Sequence, residues 1–155
     1  MTRIETPALL AVSRPGSVQD PTVSITAAYK PDEGRYVAAS ISVEHPFGQV
    51  RSSDLRRVAV RRSLAGLLRA PLAEANPDLL ADRAVKAWAS GKPARAVSEK
   101  RASAPGPQDL ASAALVVRLE RLVGGFPVRA VERACGVDYD DAKRWYRAIT
   151  KEGLA

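Results

Sequence analysis

The chain has 155 residues but one cysteine and one histidine. A single cysteine excludes an intrachain disulfide and fits a reducing compartment. No cysteine–histidine set has zinc spacing. No glycine-rich loop is placed to cradle a nucleotide phosphate, and no paired acids stand out as an acid/base couple. His45 sits beside Pro46 in a turn, with no nucleophile or carboxylate set near it by spacing. No apolar run reaches the length needed to span a bilayer. The apolar stretch 7–12 is too short for a signal-peptide core, and Arg14-Pro15-Gly16 ends it. Aromatic residues make up 5% of the chain, too few for a row of rings stacked on single-stranded nucleic acid. These absences predict a cytoplasmic protein with no catalytic residues, no metal, no cofactor and no membrane partner.

What is present suits a small folded protein. The apolar fraction of 46% can supply a core, and 26% charged residues is ordinary. The net charge of +7 favours a polyanionic partner. That charge is uneven. Residues 1–51 balance five bases against five acids, and residues 52–91 hold seven bases against four acids. Residues 92–108 hold four against one, whereas residues 109–155 hold eight against seven.

In chain order, residues 1–21 read as an irregular arm punctuated by Pro7, Pro15, Gly16 and Pro21, with room for a short strand at 9–12. Residues 23–29 and 36–44 alternate with the period of a strand, Val23, Ile25, Ala27 and Tyr29 on one face, Val37, Ala39, Ile41 and Val43 on the other strand's matching face. Between them 30–35 is turn chemistry, with Pro31 and Gly34. Ser53 and Asp54 can start a helix that kinks near 58–60 and runs to about Ala70, where Pro71 interrupts it. Arg56, Arg57, Arg61, Arg62 and Arg69 make it cationic: either a solvated face or a second phosphate-binding surface. Asn76 and Pro77 signal a helix start, with Leu80, Ala84, Ala87 and Trp88 as its buried stripe and Gly91 as its stop. Residues 92–108 lack an apolar period and read as a flexible basic linker. A helix then opens at Pro107 or Gln108, with Leu115, Val116, Leu119, Leu122 and Val123 inward, and ends at Gly124-Gly125.

Residues 124–154 carry most of the functional signal. Pro127 fits a first helical position, and Val128, Val131 and Cys135 fall on one face. There Cys135 suits a small core hydrophobe better than a redox group. Gly136 can end that helix in the left-handed conformation. Asp138 is an N-cap for the next, with Asp141 three residues on. Ala142, Trp145, Tyr146 and Ile149 are spaced i, i+3, i+4, i+7 as a buried stripe. Asp140, Lys143, Arg144, Arg147 and Lys151 lie opposite. A cationic helix after a sharp turn is the arrangement that enters a DNA major groove.

Pro127, Val128, Ala130, Val131, Gly136, Val137, Ala142, Arg144, Trp145, Gly153 and Leu154 resemble the pattern of a helix-turn-helix domain common in actinobacterial and actinophage proteins. Glu132, Asp140 and Asp141 depart from it, standing where such motifs usually place alanine or polar and basic residues. The stretches ITAAYKPDEGRYVAASISVE and SSDLRRVAVRRSLAGLLR resemble the region found ahead of that domain in the same proteins.

The expected architecture is therefore α+β. An N-terminal β-hairpin packed by helices (22–91) follows the arm (1–21), and a basic linker (92–108) leads to a three-helix helix-turn-helix (109–155). The expected function is double-stranded DNA binding as a small transcriptional regulator, with helix 138–150 in the major groove. Tyr139, Asp140, Lys143 and Arg144 would face base edges, and Arg147 and Lys151 phosphates, with Arg129 or Arg133 assisting. The bland account of the same charges is the helix dipole together with Asp140–Lys143 and Asp140–Arg144 surface pairs. On that account the fold is a protein-interaction adaptor that does not bind DNA. A homodimer or protein contact would fall to the N-terminal domain.

Overall fold

The computed structural model describes residues 3–14, 21–45, 48–50, 60–98 and 102–154, with 60–63 described by backbone alone. Three strands, β1 (Leu9–Arg14), β2 (Thr22–Lys30) and β3 (Arg35–Glu44), precede the helices. These are α1 (Val60–Glu74), a 3-10 turn at Pro77–Ala81, α2 (Arg83–Ser90), α3 (Pro107–Leu122), α4 (Pro127–Cys135) and α5 (Tyr139–Lys151). The fold is α+β, and the expected hairpin is present as β2 and β3.

The arm contributes more than a connection. Its residues Leu9–Arg14 pair antiparallel with β2, so β2 is the central strand of an antiparallel sheet ordered β1-β2-β3. The third strand meets a physical need, because a lone hairpin is marginal in water. Farther up the arm, Glu5 N–H donates to Asn76 Oδ1 at 2.6 Å, and Asn76 Nδ2 donates to the carbonyls of Glu5 (3.0 Å) and Leu72 (2.9 Å). Asn76 thus ties the arm to the end of α1. It makes no side-chain cap to the following turn, contrary to the expected N-cap.

The strand phase expected in β3 also needs correction. Thr26 faces Ser40 but Ala27 faces Ala38, so Ala39 is an extra residue in a β-bulge. The bulge shifts the alternation by one. Tyr36 and Ala38, not Val37 and Ala39, pair with the inner residues Tyr29 and Ala27, on the side of Ile41 and Val43. Tyr36 is accordingly buried, its ring tilted against Tyr29 at 5.4 Å, and its hydroxyl donates to the Pro7 carbonyl at 2.8 Å.

Two helix boundaries differ from the sequence expectation. The start of the arginine-rich helix, with its cap at Ser53 and the first two residues of the kink expected near 58–60, lies outside the described residues, as do the side chains of Arg56, Arg57, Arg61 and Arg62. At its other end α1 continues through Pro71 to Glu74. A proline removes one intrahelical hydrogen bond. Here Leu68, Leu72 and Ala73 are buried on either side of it, and that packing carries the helix past the gap. The single helix expected after Asn76 is two elements. A 3-10 turn buries Leu79, and Asp82 then caps α2 by accepting from the N–H groups of Ala84 (2.8 Å) and Val85 (3.2 Å). Its buried residues are Ala84, Val85 and Trp88, and it stops at Gly91 with φ 67°, as expected.

The helices meet around a charged group. Glu120 on α3, 1% exposed, sits among apolar residues of one continuous core. Its carboxylate accepts from Arg69 Nε (3.0 Å) and Nη2 (2.7 Å) of α1, from Trp88 Nε1 (2.7 Å) of α2 and from the Phe126 N–H (3.1 Å) at the start of α4. Gly125 makes room for it, since a Cβ there would collide with Glu120 Oε1. Arg69 is therefore an internal partner, not a member of a solvated cationic face.

Removing one partner of a buried pair leaves an uncompensated charge and costs about 3–5 kcal/mol. Glu120→Ala should lower stability by about that amount in denaturant melts, and Glu120→Gln by less, because an amide still accepts from Trp88. Equal melts for wild type and Glu120→Ala would refute the role given to this residue. Burial first, and the neighbouring Tyr29 second, push the Tyr36 hydroxyl up to about 12 from 10.0. The folded state therefore holds this proton more tightly than the unfolded chain. The resulting stabilisation is complete below pH 10 and is lost as pH rises towards 12. Tyr36→Phe should be less stable at neutral pH by about 1 kcal/mol, from the lost hydrogen bond. It should also lose part of the alkaline stability decline, as read by melts from pH 8 to about 12.

Candidate nucleic-acid interface

α4, a short turn and α5 form the expected helix-turn-helix, with α3 packed across both. α4 begins with Pro127 at its first position and ends at Gly136, whose φ of 68° is left-handed. Its buried stripe is Ala130, Val131 and Ala134, a shift from the expected Val128, Val131 and Cys135, which leaves Val128 and Cys135 half-buried. Asp138 caps α5 by accepting from the Asp141 N–H at 2.8 Å. The inner face of α5 is Ala142, Trp145 and Ile149, with Tyr146 half-buried, matching the expected stripe. Tyr146 is held to α3, because Arg121 Nη2 donates to its hydroxyl at 3.1 Å and the guanidinium lies 5.8 Å from its ring centre.

All seven proposed contact residues, Arg129, Tyr139, Asp140, Lys143, Arg144, Arg147 and Lys151, are exposed. Asp140, Lys143, Arg144, Arg147 and Lys151 share the outer side of α5. Arg129 and Tyr139 form a separate corner, where the guanidinium stacks over the Tyr139 ring at 4.3 Å. Glu132 holds that guanidinium at 2.8 and 3.1 Å. The hydrogen bond and charge of Glu132 raise the Arg129 pKa above its usual value. Glu132, one of the three residues that depart from the expected helix-turn-helix pattern, thus has a local partner. Arg144 pairs with Asp141, where the account by helix dipole and surface pairs expects Asp140, so the residue whose N–H closes the cap also holds an arginine of the outer face.

The segment expected as a flexible linker is partly laid against this unit. Ala94 N–H donates to the Arg133 carbonyl at 2.7 Å, and Val97 N–H to the Gly136 carbonyl at 2.9 Å. The Arg95 backbone presses on Gly136 closely enough that a Cβ there would collide with its carbonyl oxygen. Beyond it, Trp145 Nε1 donates to the Ala102 carbonyl at 2.8 Å. Gly136 therefore serves two ends, the left-handed turn and the seat for this strap. The sequence carries no sign of the strap, because its residues lack an apolar period and its anchors are backbone groups that no side-chain pattern reports. Lys92 and Arg95 of the strap are exposed, and Lys100 and Arg101 lie outside the described residues.

Cys135 is half-buried beside the strap. Among the described residues, no group of three His, Cys, Asp or Glu is placed to hold a metal ion, and no helix is long and apolar enough to cross a membrane. Compared with known proteins, the chain matches no family model, no curated protein and no solved structure.

Gly136→Ala should destabilise the protein by at least about 1 kcal/mol from the left-handed backbone alone. It should also release the strap, so that the amides of Ala94 and Val97 exchange hydrogen faster than in wild type. Unchanged exchange at both amides in a destabilised variant would contradict the seating role.

Proposed function

We propose that the protein binds double-stranded DNA, with α5 entering the major groove and α4 lying across the backbone. One observation carries this reading. After a tight left-handed turn, the outer side of α5 presents Lys143, Arg144, Arg147 and Lys151 in the open, while its other side is fixed by Trp145 and Ile149 in the core. Helix-turn-helix proteins use such an exposed second helix as a reader. Arg144 and Lys143, nearest the turn, are suited to base edges along with Tyr139 and Asp140. Arginine reads guanine with two hydrogen bonds, and a carboxylate accepts from cytosine N4. Arg147, Lys151 and Arg129 are suited to phosphates, which fix register without reading sequence. The excess charge of residues 52–108 aids long-range capture. The resemblance to actinobacterial and actinophage helix-turn-helix proteins makes a small transcriptional regulator acting in the cytoplasm the biological role we favour.

A second reading has its own observation. Arg129 is paired with Glu132 and Arg144 with Asp141, so two of the contact cations are already balanced within the unit. That favours a protein-interaction adaptor that keeps the fold without binding DNA.

Fluorescence anisotropy on duplex DNA across a salt series separates the two. DNA binding requires affinity to fall steeply with salt. Arg147→Ala and Lys151→Ala should each weaken binding on all sequences and flatten the salt slope by about 1. Arg144→Ala should cost about 1–3 kcal/mol and relax sequence preference. The absence of binding to genomic fragments at low salt would favour the adaptor.

A further inference from the structure

β3 is an edge strand, and among the described residues no strand pairs with its outer side. Natural edge strands are usually guarded by lysine, proline or inward charges. From Tyr36 to Val43 this strand contains no charged residue and no proline. Ala38, Ala39, Ser40, Ile41 and Ser42 are all exposed. The one irregularity is the bulge at Ala39. Charges of opposite sign flank the run, Arg35 at its start and Glu44 at its end.

The strand's own sequence selects a partner and a register. In an antiparallel pairing of two copies, setting Arg35 opposite the partner's Glu44 also sets Tyr36 opposite Val43 and Ala38 opposite Ile41. Those are the four β3 residues that the bulge places on the inner side of the sheet, by their pairing with β2. Val37 then opposes Ser42, and Ala39 opposes Ser40. A slip of one residue would match inner side chains to outer ones. A slip of two would separate the charges. Only this register satisfies both the charges and the faces, and it places the bulge beside the symmetry axis with a paired half-strand on either side.

We propose that β3 pairs antiparallel with β3 of a second copy, about a two-fold axis between Ala39 and Ser40, so that the two sheets become one. The contact is isologous and closes at a dimer. Two Arg35–Glu44 pairs clamp its ends, one from each copy. Arg35 is held in the single chain by Glu33 at 2.7 Å, an exposed pair that contributes little and yields readily to a new partner. This inference stands apart from the nucleic-acid reading and does not require it.

Sedimentation equilibrium of the full chain over the micromolar range tests it. Wild type should dimerise in a concentration-dependent way. Arg35→Glu alone, or Glu44→Arg alone, puts like charges opposite each other at both ends and should raise the dimer Kd by about tenfold or more. The double variant Arg35→Glu/Glu44→Arg should return it to within about threefold of wild type. Ser40→Lys changes an exposed residue, brings two lysines together near the axis, and should also favour the monomer. Circular dichroism checks that each variant is folded. A wild type that stays monomeric throughout, a dimer indifferent to the single reversals, or a double reversal without rescue would each overturn the proposal.

Discussion

The Glu120 carboxylate is the constraint on which the helical part depends. Burying a charge among apolar side chains is costly unless every lone pair is used. Here Arg69, Trp88 and the Phe126 backbone use them, so α1, α2 and the entry to α4 are fixed relative to α3 by one group. The arrangement is directional in a way that apolar contact is not. A leucine at this position could fill the space, but it would leave the Trp88 and Phe126 donors without acceptors. It would also leave Arg69 without a counter-charge. The absent side chain at Gly125 belongs to the same unit, because the carboxylate occupies the space a Cβ would need.

That unit sets where the outer face of α5 points. α4 leaves the Glu120 site at a fixed angle, ends at Gly136, and turns into α5 through the Asp138 cap. Two further ties hold the second helix: Arg121 on Tyr146 from the α3 side, and Ala102 on Trp145 from the strap side. The inner half of α5 is thereby held in the core and the outer half is exposed. The strap adds a second consequence. Its backbone is bonded to Arg133 and Gly136 on either side of Arg95, so that residue is carried beside the helix-turn-helix and not on a loose tether.

Much of this was legible in the sequence. The hairpin, the α5 stripe, the Asp138 cap and the stops at Gly91 and Gly136 all follow from local patterns of spacing and backbone permissiveness, and the structure repeats them. What was not legible depends on partners far along the chain. Glu120 looks like an ordinary surface acid in sequence, since nothing local announces that Arg69 and Trp88 will meet it. Asn76 looks like a cap, but Glu5 competes for its amide. Pro71 looks like a stop, but buried leucine on either side carries the helix through. The bulge at Ala39 flips half of a strand whose alternation reads as unbroken. In the proposed interface the exposed residues were legible, because they follow from helical period, whereas the pairing of Arg144 with Asp141 and of Arg129 with Glu132 required the three-dimensional placement of the caps and the turn.

We propose the outer side of α5 as the surface that meets nucleic acid. Backbone amide chemical-shift mapping during titration with a duplex DNA pool at low salt tests it most directly. The largest changes should fall in Tyr139–Lys151 and at Arg129, with the amides of β1, β2 and β3 little affected. Changes confined to the sheet, or none anywhere, would contradict it.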